Sequence, residues 1–504
     1  MVASPDSRRV ASQKGSIVWI PRFRFYTVFI LSGLGVLVPI INFIRYGLKG
    51  DFWWVWNSGR WMAQHHQLLQ NNPASWNGAS LAGKAWVNLE WGWEWFIYAV
   101  NPHLHPLVFI GVLFAFEAAT LLAFFWALKA MAPQLTVEAA CGLYALYGIL
   151  ILPFTVRLRA DLFSYAAFPM LLGIIWRARS QRRWLFLLAP LTLVWANIHG
   201  SWLIIPVLMA LEAGLSGWRR DWKVWRAEVL WGIMVPAATA IGLTPWHLHT
   251  ITYAWWLDHN RYITGYIQEW QSINFHDTTF FILGALVLVA WLWRARTKKQ
   301  YPFILDLWFI GITLAFFDEI RMIPYFGMVF ALWFGYGLAQ NPRYSHWLAA
   351  SAGSRVFRWA QWSSLVAVLM VSLVWGAHSE RQWTAPAVPV SVVRWVNGHS
   401  HGVVLAPIDD GGYLEAHQVT RVFVDGRSDF LLAHGRRLQN YVRLAVGGLA
   451  TPKRVAAIFQ SEGINLIAWP KSELLSTIGW YMSVRHWRSV YSQGGWAVYA
   501  PPSH

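Results

Sequence analysis

Nine side chains in this chain are of types that do proton transfer or bind anions: Asp51, Glu90, Glu94, Arg157, Arg159, Asp161, His199, Glu269 and Arg321. A carboxylate can take a proton from a hydroxyl when partial desolvation raises its pKa. Arginine presents a planar fork of donors matched to phosphate oxygens, and histidine titrates near neutrality. Such a set could activate an attacking hydroxyl and hold a phosphorylated donor. The residues are spread over 270 positions of sequence, so the elements between them must bring them together.

Those elements read as membrane spans. The chain of 504 residues is 56% hydrophobic and only 13% charged, against about 25% charged for a soluble domain. Its apolar residues gather into eleven runs, near 25–44, 105–128, 136–154, 161–176, 184–198, 201–217, 227–245, 278–293, 303–318, 322–340 and 362–378. Each approaches the length that crosses about 30 Å of hydrocarbon as helix. Continuous apolar runs, rather than short alternating segments, exclude a β-barrel. The expected architecture is an all-α polytopic membrane bundle of about 11 transmembrane helices, residues 25–378.

Lysine and arginine crowd every second gap: Arg8 to Arg24, Lys129, Arg177 to Arg183, Arg219 to Arg226, Arg294 to Lys299, and Arg343 to Arg358. This bias places the N-terminus in the cytoplasm and the C-terminus outside. All nine candidate residues then share the extracytoplasmic face of a plasma membrane. The net charge of +17 belongs to basic cytoplasmic loops that meet anionic lipid, and nucleic acid is not needed to explain it. Many of the 37 tryptophans stand at the ends of the runs, where interfacial belts form. Residues 1–24 read as a basic cytoplasmic arm. The run after it reads as a retained anchor, because no small-residue cleavage site follows. The single cysteine, Cys141, excludes an intramolecular disulfide and a cysteine-based metal site.

Three regions are too long or too polar to be connectors. The loop 45–104 contains DFWWVWNSGRWMAQHHQ (51–67), whose tryptophans predict a helix lying along the interface. A second large loop spans 246–277. The tail 379–504 has soluble composition, with β-like runs at Val403–Pro407, Val422–Asp425, Ile464–Trp469 and Trp496–Tyr499. Amphipathic stretches at Ser391–Asn397, Arg436–Ala445 and Pro452–Gln460 alternate with them, predicting a small extracytoplasmic α/β domain.

Each candidate residue has a plainer reading beside the chemical one. Asp51 could be a general base, or the N-cap of the helix that follows it. Arg157 and Arg159 could hold a lipid-linked phosphate, or pair locally with Asp161 and anchor to headgroups. Arg321 has the same choice with Asp318 and Glu319. His199, in a short connection between spans, could serve a leaving phosphate or shuttle a proton, or be a satisfied structural histidine. Glu117 is the only acid near the middle of a span, which is costly there and a functional hint by default. His103, His105, His247 and His249, with Asp258, His259, His276 and Asp277, make a divalent metal chemically possible. Nothing else in the sequence calls for a cofactor. Asp425-Gly426-Arg427-Ser428-Asp429 could touch a saccharide or form a turn held by an Arg–Asp pair.

Taken in order, several segments resemble a widespread group of bacterial GT-C-like integral membrane proteins. They are GDFWWVWNSGRWMAQHH, WVNLEWGWEWFIY, RLRADLFSY (157–165), WANIHGSW around His199, IQEW (267–270), RMIPYF from Arg321, and DDGGYLEAH, VFVDGRSDF and GWAVY in the tail. Val55 departs from that pattern, standing where a histidine commonly follows the tryptophan pair. The GT-C resemblance implies a membrane glycosyltransferase. An acidic residue in the first outer loop, here Asp51, would deprotonate the acceptor hydroxyl as it attacks a polyprenyl-phosphate sugar. Arg157, Arg159 or Arg321 would hold the donor phosphate, and Glu90, Glu94 or Glu269 would position the acceptor or assist the base. The acceptor would be an extracytoplasmic glycan, lipid or protein. Two other classes compete: a flippase or transporter of lipid-linked intermediates, and a non-catalytic envelope assembly or sensor protein. An odd number of spans and no visible repeat weigh against the transporter.

Overall fold

A computed structural model describes residues 48–77, 81–135, 137–151, 157–296, 301–340, 388–419, 421–434, 436–445, 451–473 and 476–502. Every predicted span within them is helical: Pro106–Met131, Val137–Leu150, Asp161–Ala178, Leu188–Ala196, Ile204–Trp218, Val235–Leu243, Thr278–Arg296, Phe303–Asp318 and Ile323–Ala339. Among the described residues five helices, Pro106–Met131, Gly200–Trp218, Trp222–Leu243, Thr278–Arg296 and Ile320–Ala339, are long and apolar enough to cross a membrane. The chain is a mostly helical membrane protein with a small C-terminal sheet. The basic arm 1–24, the spans 25–44 and 362–378, and the boundary at 379 lie outside the described residues.

Leu122, Phe281, Leu288 and Leu314 remain exposed on the helices, as lipid-facing positions do once water is absent. Between helices the polar groups find partners. Tyr144 donates to Glu117 Oε2 at 3.4 Å, so that acid is hydrogen-bonded from one helix to the next. Arg294 forks the carboxylate of Asp306, which also accepts from Trp333 Nε1 at 3.0 Å.

The tail contains a four-stranded sheet: β1 (Val403–Leu405), β2 (Ile464–Pro470), β3 (Arg488–Gln493) and β4 (Trp496–Ala500). Its order is β1-β2-β4-β3, with β1 parallel to β2 and both other pairings antiparallel. Helices Val390–His399, Arg437–Ala445 and Pro452–Glu462 occupy the three amphipathic stretches. The β-like run Val422–Asp425 corrects the sequence expectation, since Val422 makes only an isolated bridge to Val404. Its backbone is taken up elsewhere: Arg421 and Val422 donate their N–H groups to Ser75 and Trp76 O, at 2.9 and 2.8 Å. β3 escaped the sequence reading because RSVYSQ is polar and mostly exposed.

The loop after Asp51 and the tail are therefore one construction. Helix Asp51–His65 does not lie with its tryptophans in lipid, as expected from the sequence. Trp53, Trp54 and Trp56 are buried between helix Trp91–Val100 and helix Ile408–Ala416, where Trp53 meets Tyr413 edge to face at 4.8 Å. Arg427 is the pin. It is wholly buried, paired with Asp425 at 2.6 Å, bonded to Asn72 and Asn77 at 2.8 and 2.7 Å, and seated over Trp76 at 4.5 Å. A buried guanidinium needs such a full set of acceptors, because an unpaired one costs several kcal/mol. The Asp-Gly-Arg motif is thus an Arg–Asp-held turn that also fastens the tail to the loop.

Candidate functional site

Gly50 starts the site. Its φ of 59° and ψ of −125° are open to glycine and strained for other residues, and this turn makes Asp51 the first residue of the helix. No side-chain cap bond is formed there, which corrects the N-cap reading. The carboxylate meets a tryptophan and two arginines instead. Trp54 Nε1 donates to Oδ1 at 3.2 Å, while Oδ2 lies 3.4 Å from Arg159 Nη1 and 3.9 Å from Arg157 Nη1.

Arg159 joins three separate segments. Its two Nη atoms donate to the two carboxylate oxygens of Glu269 at 2.9 and 3.1 Å, and its Nε is 3.7 Å from Asp161 Oδ2. Glu269 sits on a short 3-10 turn, Gln268–Trp270, in the second large loop. Asp161 opens helix Asp161–Ala178, and its Oδ1 accepts from His199 Nε2 at 3.0 Å. Glu90 Oε1 stands 3.6 Å from the same nitrogen. On the other side of the ring the backbone N–H of Ser201 donates to His199 Nδ1 at 3.2 Å. Nδ1 is thereby the acceptor, so neutral His199 carries its proton on Nε2, facing the two carboxylates. Ser164 and Ser201 hydroxyls, 2.8 Å apart and both within reach of Trp195 Nε1, complete the support.

Seven of the nine sequence candidates thus form one connected cluster: Asp51, Glu90, Arg157, Arg159, Asp161, His199 and Glu269. Arg321 sits at its edge, 3.8 Å over the Trp270 ring and 3.4 Å from Glu319. Glu94 lies inside the protein, fully buried, accepting from Asn88 Nδ2 at 2.6 Å. Burial pushes its carboxyl well above the usual range. The histidine pairs do not join the cluster. Among the described residues no group of three or more His, Cys, Asp or Glu is placed to hold a metal ion, and a guanidinium stands among Asp51, Asp161 and Glu269.

The charges are unequal in what they can still do. Arg159 is engaged on every side, whereas the Arg157 side chain is 45% exposed and free to meet a ligand anion. Burial raises Glu90 to about 7, against the opposing pull of His199 and Arg159. Glu269 is also penalised by burial, but the fork of Arg159 outweighs it and keeps its carboxyl low. Two glutamates with the same chemistry are therefore held at different proton affinities by their neighbours.

The sequence reading missed two contributors from the tail. Asp409, in the DDGGYLEAH segment, lies in the field of Asp51 and Arg157. Gly426 packs so closely that an added Cβ would stand 2.6 Å from Asp51 Oδ1. The segments were visible as motifs; that they press on Asp51 depends on docking across some 360 residues of sequence.

No protein-family model matches the chain, and no curated protein matches it by sequence. Structural comparison does find likenesses. The apo crystal structure of the Archaeoglobus fulgidus oligosaccharyltransferase superposes over 89% of this chain and 70% of that one, with a TM-score of 0.56 and 11% identity. The two chains share a fold. The same archaeal enzyme tethered to an acceptor peptide containing the NVT sequon covers 89% and 69%, with a TM-score of 0.48 and 10% identity.

Proposed function

We propose that this protein is a GT-C-type membrane glycosyltransferase that moves a sugar from a polyprenyl-phosphate donor to an extracytoplasmic acceptor. The observation that carries the reading is the convergence of Asp51 with Arg157 and Arg159, within 3.9 Å, on a fold shared with an oligosaccharyltransferase. An acid beside an exposed guanidinium is what attack on a phosphate-bearing carbon requires: one group receives a proton, the other meets the departing anion.

In this mechanism the acceptor hydroxyl attacks the anomeric carbon from the side opposite the phosphate. The new carbon–oxygen bond forms as the bond to the phosphate oxygen breaks, and its electron pair leaves with polyprenyl phosphate. Asp51 Oδ2 takes the hydroxyl proton. A single displacement inverts the anomeric centre. Arg157 meets the phosphate, with Arg321 at the edge of the cleft as a second cation. Arg159 is a positioning residue that holds Asp51, Asp161 and Glu269 in register. Glu90, 3.6 Å from His199 Nε2 and raised to about 7 by burial, is a second proton acceptor beside the cluster. The bias of lysine and arginine toward alternate gaps in the sequence supports an extracytoplasmic site.

The test is turnover of radiolabelled polyprenyl-phosphate hexoses by purified protein in proteoliposomes, with a crude envelope fraction as acceptor. Transfer that falls at least a hundredfold in Asp51→Asn, with folding intact, supports the reading. Undiminished transfer in that variant removes Asp51 as base, and no transfer from any donor by the wild type sinks the transferase assignment.

A further inference from the structure

One carboxylate in the cleft has no role in the mechanism above. Asp409 belongs to helix Ile408–Ala416 of the C-terminal domain, which Tyr413 seats against Trp53 of the Asp51 helix. Tyr441 accepts the backbone N–H of Ile408 at 3.1 Å, fixing the start of that helix. Asp409 is exposed and makes no hydrogen bond or ion pair among the described residues.

Gly50 locates it. A Cβ placed on Gly50 would stand 3.7 Å from Arg157 Nη1 and 3.8 Å from Asp409 Oδ1. The two charged groups therefore flank the residue that precedes Asp51, and the glycine leaves the space between them unfilled. Although Asp409 reaches solvent, the protein packed around its carboxyl desolvates it and raises it most, and the Asp51 carboxylate raises it next; Glu269 adds to this while Arg157 and Arg159 oppose. Asp409 thus reaches the residue before Asp51 from a helix of the C-terminal domain.

We infer that Asp409 is an acceptor-binding residue, accepting a hydrogen bond from a hydroxyl of a neutral saccharide whose neighbouring hydroxyl reacts at Asp51. The inference rests on the glycosyltransferase reading and names its acceptor class. Two carboxylates flank that space, Asp51 and Asp409, and they disfavour an anionic acceptor. A saccharide carries adjacent hydroxyls, so one can be held while the next attacks. The exposed Arg157 leaves the opposite side of the gap to the donor phosphate.

The experiment uses full-length protein in proteoliposomes with radiolabelled polyprenyl-phosphate hexoses. Acceptors are the neutral and the acidic glycan fractions of the cell envelope, separated by anion exchange. Release of sugar to water is followed in parallel. In Asp409→Asn the neutral-acceptor KM rises about tenfold or more, as loss of a charge-assisted hydrogen bond implies. The donor KM and release to water stay within twofold, and Asp409→Glu recovers part of the acceptor affinity. A wild type that prefers the acidic fraction overturns the inference, as does an Asn variant that is unchanged or that loses transfer and release to water in equal proportion. Absence of both activities in the wild type fails the transferase reading itself and takes Asp409 with it. Failure confined to the variants leaves that reading standing.

Discussion

Arg159 and Glu269 meet fork to fork, at 2.9 and 3.1 Å, across 110 residues of sequence, and the same guanidinium lies 3.4 Å from Asp51. One side chain therefore sets the relative positions of an acid from the first loop and an acid from the second. Lysine keeps the charge but loses the planar geometry. Arg159→Lys is expected to lower kcat about tenfold or more while changing the donor KM less than threefold. Transfer kinetics on the reconstituted variant check this, and a changed KM with kcat unaltered would make Arg159 a donor ligand instead.

Glu90, raised to about 7 by burial, gives the pH dependence a sign. Its folded pKa exceeds its unfolded value of 4.5, so its stability contribution is present below about 4.5 and is lost as the pH rises through 7. Glu90→Gln is expected to make the protein relatively more stable above pH 7, seen as a smaller fall in melting temperature between pH 5 and 8. If Glu90 also accepts a proton during turnover, the rise in rate through pH 7 flattens in the same variant.

Arg427 lies wholly buried with Asp425 and Glu415. Arg427→Met leaves those carboxylates without their cation and is expected to destabilise by ~3–5 kcal/mol. The loss should appear as early proteolysis of the C-terminal domain, because the broken bonds to Asn72 and Asn77 are those that hold it to the loop. An unchanged protease pattern would refute the pin.

Gly426 has no room for a side chain beside Trp54 and Asp51. Gly426→Ala is expected to displace the tail from Asp51 and to reduce transfer more than it reduces melting temperature, by about tenfold or more in kcat. Wild-type kinetics in this variant would show that the contact has no bearing on the reaction.

The proposed extracytoplasmic placement of the site is open to direct labelling. On a Cys141→Ser background, Arg220→Cys is expected to resist a membrane-impermeant thiol reagent in intact cells, and His486→Cys to react. The reverse pattern would put the site on the cytoplasmic side.

What sequence order made legible was whatever depends on local composition. Apolar runs of spanning length mark helices because the hydrocarbon solvates no backbone polar group. Amphipathic periodicity likewise marked the three tail helices. Residue chemistry singled out Asp51, Arg157, Arg159, Asp161, His199 and Glu269 without locating them. The same local view misjudged Trp53, Trp54 and Trp56, which look interfacial by pattern yet are buried between helices Trp91–Val100 and Ile408–Ala416.

Tertiary structure alone decided which charges meet. The sequence determined that Arg159 would be a cation and Glu269 an acid in the second large loop. It did not determine that one would neutralise the other, that Glu94 would be sealed inside the protein, or that Asp409 would arrive from the far end of the chain. Proton affinity depends on burial and on the charges around each group, and those are set by docking between segments hundreds of residues apart.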